Sequence, residues 1–155
     1  MVGSTRLSGY APTASLVDNH QGAGRVNLDA VLAPSAPVKM QFQEVTPGLR
    51  TGEVLRLEIN VTSNKSPLRL VLAYTDSPGA RLVNHLNLVV TSPIGLRYVG
   101  NQSSSGALIL DTTNNAEVTR ISSPKAGRWI VEVVASNVPR GPQDFALVWT
   151  GRFGP

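Results

Sequence analysis

From about Pro37 to the end of the chain, apolar and polar residues alternate with a period of two. In VLRLEINV, residues 54–61, Leu55, Leu57, Ile59 and Val61 share one face, while Arg56, Glu58 and Asn60 share the other. Successive side chains of a strand point to opposite sides, so this pattern describes a strand with one buried and one wet face. FALVWT, residues 145–150, separates Phe145, Leu147 and Trp149 from Ala146, Val148 and Thr150 in the same way. WIVEVVA, 129–135, is interrupted only by Glu132, and LRLVLAY, 68–74, only by Arg69. Such nearly continuous apolar runs suit strands that are covered on both sides.

The same grammar predicts about eight strands, near 38–45, 54–62, 68–75, 86–91, 96–99, 117–122, 128–135 and 144–150. Turn-forming clusters separate them: TPGLRTG, SNKSP, SPIG, SPKAG and VPRGPQ. No helical pattern of useful length lies between them, so parallel crossovers are not expected. The predicted fold is all-β, an antiparallel β-sandwich of jelly-roll or Greek-key kind. Residues 1–35 have another texture, rich in Gly, Ala, Ser and Asn and poor in large apolar side chains. Their one helical candidate is NLDAVLA, Asn27 to Ala33, with Asn27 as cap, Asp29 in the first turn and Pro34 as stop. The chain therefore divides into an appendage, 1–35, and a sandwich domain, 36–155. Lacking its own core, the stretch up to Gly24 is expected to be the most mobile. The opposing possibility is that Val26, Leu28, Val31 and Leu32 cover one sheet and complete its core.

Composition narrows the chemistry. A chain of 155 residues suffices for one domain with a real core. The absence of cysteine excludes disulfides, thiolate metal sites and cysteine nucleophiles. The net charge of +4 comes mainly from eleven arginines spread singly along the chain. A nucleic-acid binder gathers its basic residues on one face with aromatics between them, so no nucleic-acid partner is expected. No apolar run is long enough to span a membrane, so no membrane partner is expected. MVGSTRLSGYAPTA lacks the basic and apolar regions of a signal peptide. The sequons at Asn60, Asn64 and Asn101 are of the kind that a Ser/Thr-rich chain produces by chance.

Nucleophilic hydrolysis needs a hydroxyl, a base and a group to orient the base. His20 and His85 are the only imidazoles, no G-x-S-x-G occurs, and GNQSSSG (100–106) reads as a polar loop. The metal motif H-E-x-x-H is absent as well. No catalytic, cofactor-binding or metal residue is therefore assigned. Two loops remain as candidates. YTDSPGARLVNHLNLVV, 74–90, opens a long connection with Asp76 and closes it with Asn84, His85 and Asn87. DTTNNAE, 111–117, offers Asn114 and Asn115 for backbone turns of positive φ, and Glu117 at a strand start. The functional alternative for Glu117 is an ion pair with an arginine that organises the loop face. A sugar-binding reading would need exposed aromatics, for which Trp129, Trp149, Tyr74 and Tyr98 are the candidates.

Several stretches resemble a known family. NHQGAGRVNLDAVLA, 19–33, is similar to the closing segment of a subtilisin-like catalytic domain, where G-x-G-R-V-[ND] precedes a short last helix. LVLAYTDSPGARLVNHLNLVVTSPIGLRYVGN and DTTNNAEVTRISSPKAGRWIVEVVASNVPRGPQDFALVWTG, in that order, resemble the C-terminal β-sandwich of KP-43-type alkaline subtilases, peptidase family S8. That domain is a jelly roll akin to the P domain of proprotein convertases. The resemblance implies a noncatalytic accessory domain of a secreted serine endopeptidase. Its partners would be an upstream catalytic domain, which it stabilises, and the protein substrate, which it helps to hold. The Asp, His and Ser of the family's triad would lie before Met1. The alternative is a self-standing sandwich module binding carbohydrate or protein. In the family the counterpart of the NHLNL stretch is Asn-Asp-Leu-Asp-Leu, and some members bind calcium near such loops. Here His85 and Asn87 stand in place of Asp, leaving Asp76 as the loop's only carboxylate, with Asp111 able to approach from another loop. Calcium wants about six to eight oxygens, several of them carboxylate. Turn chemistry is therefore the expectation: Asp76, Asn84 and Asn87 bond local backbone amides.

Overall fold

The computed structural model describes residues 2–5, 7, 21–32, 34–102 and 108–154. Its strands are β1 Lys39–Leu49, β2 Val54–Val61, β3 Leu68–Ala73, β4 His85–Thr91, β5 Arg97–Val99, β6 Ala116–Ile121, β7 Gly127–Asn137, β8 Gln143–Gly151 and β9 Phe153–Gly154. Every strand predicted from the alternation is present. The ninth was not foreseen, because two residues are too few to show a period. It pairs with Asn60 and Val61 at the end of β2. The one helix among the described residues, the short α1 Asp29–Leu32, lies inside the predicted stretch. Asn27 caps it, its Oδ1 accepting the Ala30 N–H at 3.2 Å.

One sheet has the order β1-β8-β3-β6 and the other β5-β4-β7-β2-β9, all antiparallel. Strands 1 to 8 follow the jelly-roll order, the chain crossing between the sheets at every connection except that of β4 to β5, which are paired neighbours. Their inner faces are the apolar phases of the sequence pattern. Leu70 and Leu72 of β3, Leu147 of β8, Leu88 and Val90 of β4, and Val131 and Val133 of β7 are wholly buried in one cluster. β1 bulges between Val45 and Leu49. Pro47 has no N–H for a ladder there, and Gly48, at φ 82°, lies so close to the Gln143 backbone that a Cβ would overlap it.

The outer face of the β1-β8-β3-β6 sheet carries an apolar row as well, which explains the nearly unbroken LRLVLA of β3. Phe42, Val148, Val71 and Val118 form one row across its four strands. Val2 and Val31 of the N-terminal segment cover the Val71–Val118 end of that row. Arg69 ties the segment down, donating from Nη1 to the Val2 carbonyl at 3.0 Å. Of the four residues named as a possible cover, Val31 alone packs on the sheet; Val26 is 74 %, Leu28 61 % and Leu32 75 % exposed. The mobility expected up to Gly24 falls mostly on residues 8–20, outside the described residues, as does His20. Deleting residues 1–35 should uncover Val71 and Val118 and cost about 2–4 kcal/mol, leaving the jelly roll folded. Urea unfolding checks this: an unchanged midpoint, or loss of the cooperative transition, would contradict it.

Candidate functional site

The two candidate loops meet at one end of the sandwich. Asp76 follows β3, and its carboxylate is filled by backbone donors. Oδ1 accepts from Ser77 and Asn84 N–H at 2.8 and 2.9 Å, and Oδ2 from Val83 N–H at 2.6 Å. Burial opposes its charge, but the Val83, Asn84 and Ser77 amides and nearby His85 outweigh that and hold its pKa below the usual value. This matches the local turn role expected of Asp76. Asn84 and Asn87 act differently. Asn84, fully buried, reaches the β7–β8 connection: its Nδ2 donates to Arg140 O at 2.6 Å and Gln143 Oε1 at 2.7 Å, and its Oδ1 accepts from Arg140 N–H. Gln143 in turn donates to Thr75 O at 3.2 Å. Asn87 donates across to Ser136 Oγ at 2.8 Å on β7. The expectation that these two asparagines serve only local amides is thus corrected: both bind neighbouring elements.

The second loop is organised by Asp111. Its Oδ1 accepts from Thr113 and Asn114 N–H at 2.7 and 3.1 Å, and its Oδ2 from the Asn101 and Asn114 side-chain amides at 2.5 and 2.7 Å. Burial again opposes the charge, and these donors prevail, lowering its pKa. The positive φ expected at Asn114 or Asn115 is found instead at Asn101, at 60°. There the chain leaves β5 in one sheet and bonds β6 in the other, Asn101 N–H to Val118 O at 2.8 Å. Asn115 pins the loop to the end of β3, its Nδ2 donating to the carbonyl of the next residue, Tyr74, at 2.8 Å. Both carboxylates thus face N–H groups, the reverse of what a cation requires. Among the described residues no three His, Asp or Glu side chains converge.

Glu117 lies near the start of β6 as expected and serves the fold, but the alternative of an arginine ion pair is not found. It sits 1 % exposed on the inner face of β6, opposite Leu72. Its Oε2 accepts the Leu88 N–H of β4, in the other sheet, at 2.6 Å, while Oε1 is buried without a partner. Room for it depends on Gly100, where a Cβ would overlap the carboxyl. Burial pushes its pKa up from 4.5 to about 8; the Leu88 N–H opposes the rise and Asp111 adds to it. The signal available in AEVTRI was its phase: Glu117 alternates with Thr119 and Ile121, which both face inward. The four aromatic candidates form no exposed platform. Trp129, Trp149 and Tyr74 are buried, and Tyr98 stacks obliquely on Trp129 at 6.0 Å.

No family model matches the chain. It is similar to the serine protease/ABC transporter B family protein tagA of Dictyostelium discoideum, 24 % identical over 174 aligned residues. The match takes in 90 % of this chain and 10 % of that protein, so the chain spans about a tenth of its relative's length. The similarity connects the chain at a distance to a protease-containing protein, consistent with a protease-associated domain.

The raised pKa of Glu117 has a definite sign. The folded chain keeps a proton that the unfolded chain releases near pH 4.5, so this contribution is full below 4.5 and lost as pH rises through about 8. Asp76 and Asp111, with lowered pKa values, act oppositely and lose their contribution as pH falls below the usual Asp range. Stability should therefore peak in mildly acidic solution and fall towards pH 8 by about 3–5 kcal/mol. Glu117→Gln should flatten that decline. Urea midpoints measured across this range check it, and an equal decline in the variant would refute the assignment.

Proposed function

We propose that this chain is a noncatalytic jelly-roll accessory domain of a secreted, subtilisin-like serine endopeptidase. The observation that carries this reading is the similarity, over nine-tenths of the chain, to a protein named as a serine protease/ABC transporter B family protein. The subtilase character comes from the resemblance of GAGRVNLDAVLA to the end of a catalytic domain and of the later strands to the KP-43-type sandwich. In this reading the catalytic domain belongs to the same polypeptide, and the exposed Val26, Leu28 and Leu32 are apolar surface that it would cover. The sandwich stabilises that domain and helps hold protein substrate. These carboxylates support a noncatalytic role, because the hydrogen bonds of Asp76 and Asp111 in the loops and of Glu117 on β6 go to groups that shape the fold.

An antibody raised against the sandwich tests the proposal on the native protein. The captured polypeptide should be far longer than 155 residues and should be labelled by a fluorophosphonate probe, which acylates activated serines. The isolated chain should take no label and cleave no casein. A native product of this length, or labelling of the isolated chain, would overturn it.

A further inference from the structure

On the outer face of the β1-β8-β3-β6 sheet, a cleft of about 370 Å³ opens between the strands and the N-terminal segment. Val2, Pro34, Val38 and Pro67 give it apolar walls, with Arg69 and Asp29 among its polar groups. Arg69 uses one donor, Nη1, on the Val2 carbonyl. Its Nε is buried without a partner, and among the described residues no group bonds Nη2. Those two nitrogens form the side of a guanidinium that offers two parallel N–H bonds. The next residue in register across the sheet is Arg120, another cation. Neither arginine forms an ion pair among the described residues, where Arg128–Glu58 is on the opposite sheet. Like charges placed directly opposite destabilise a sheet, and burial adds to the cost of the Arg69 charge.

We propose that this cleft binds a peptide carboxylate, received by the free Nε–Nη2 edge of Arg69, with the adjoining apolar side chain lodged against Val2, Val38 and Pro67. A carboxylate is planar and matches the two parallel N–H bonds. Asp29 disfavours a dianion such as phosphate in the same cleft and attracts an N–H donor, which a peptide carries next to its carboxylate. Arg120 adds long-range attraction that salt screens. The carboxylate is that of a chain terminus or of an acidic side chain. Binding depends on no particular parent polypeptide, so its failure would leave the protease reading untouched.

NMR titration of the isotope-labelled chain separates the possibilities. The probes are acetyl-Ala-Ala-Leu with a free terminus, the same peptide as its neutral amide, acetyl-Leu-Glu-Leu-amide, and inorganic phosphate. At least one of the carboxylate peptides should shift the Arg69 Nε–H and Thr150 amide signals saturably, at least about tenfold more tightly than the neutral amide or phosphate. The tighter of the two identifies the source of the carboxylate. Arg120→Ala should weaken binding a few-fold, and Arg69→Lys should abolish it while the core signals stay in place. Equal binding of the neutral amide, tighter binding of phosphate, or no saturable shift with either carboxylate would overturn the proposal. Should Arg69→Lys fail to fold, the comparison of probes on the native chain decides alone.

Discussion

A carboxyl group buried between the two sheets governs how this sandwich closes. Gly100 N–H still reaches Leu88 O at 2.9 Å, but the chain then turns at Asn101 and crosses to β6. The Leu88 N–H would be left without a ladder partner on that side. Glu117 supplies one from the opposite sheet. A buried amide without a partner costs about 1–3 kcal/mol, so the position demands an acceptor of this reach. The aliphatic layer supplies most of the attraction between sheets, but it is non-directional and cannot by itself fix the edge register.

The same logic accounts for the polar loops at that end. Asp76 gathers three backbone amides, and Asp111 binds two backbone amides together with the side-chain amides of Asn101 and Asn114. Asn84 joins the β3–β4 connection to Arg140 of the β7–β8 connection and to Gln143 at the start of β8. Polar side chains that look like a site in the sequence are here the means of satisfying loop backbone. On the outer sheet face the balance is reversed: Arg69 has more donors than the fold uses.

Strand positions and their buried faces were legible because period two survives in nearly every element. VLRLEINV states its own orientation, and β3 revealed its double coverage through LRLVLA. The jelly-roll order was legible only as a class, since which strands pair depends on connections that carry no periodic signal. Asp76 was read correctly as turn chemistry because a carboxylate before Ser and Pro has nearby amides to serve. Glu117 was placed correctly near the start of a strand, but its burial went unread, because only its phase with Thr119 and Ile121 pointed inward. Asn84, Asn87 and Asn101 act on residues far along the chain, and local sequence says nothing about such partners. The Arg69 cleft escaped for the same reason, as one of its walls comes from Val2.

Amide hydrogen exchange at Leu88 tests the closure most directly. If Glu117 seals the edge, the Leu88 N–H should exchange only through global unfolding, as slowly as the β7 amides at the centre of its sheet. In Glu117→Ala it should exchange much faster than those amides, while they remain protected relative to the variant's own stability. Fast exchange at Leu88 in the native chain, or unchanged protection in the variant, would contradict the account.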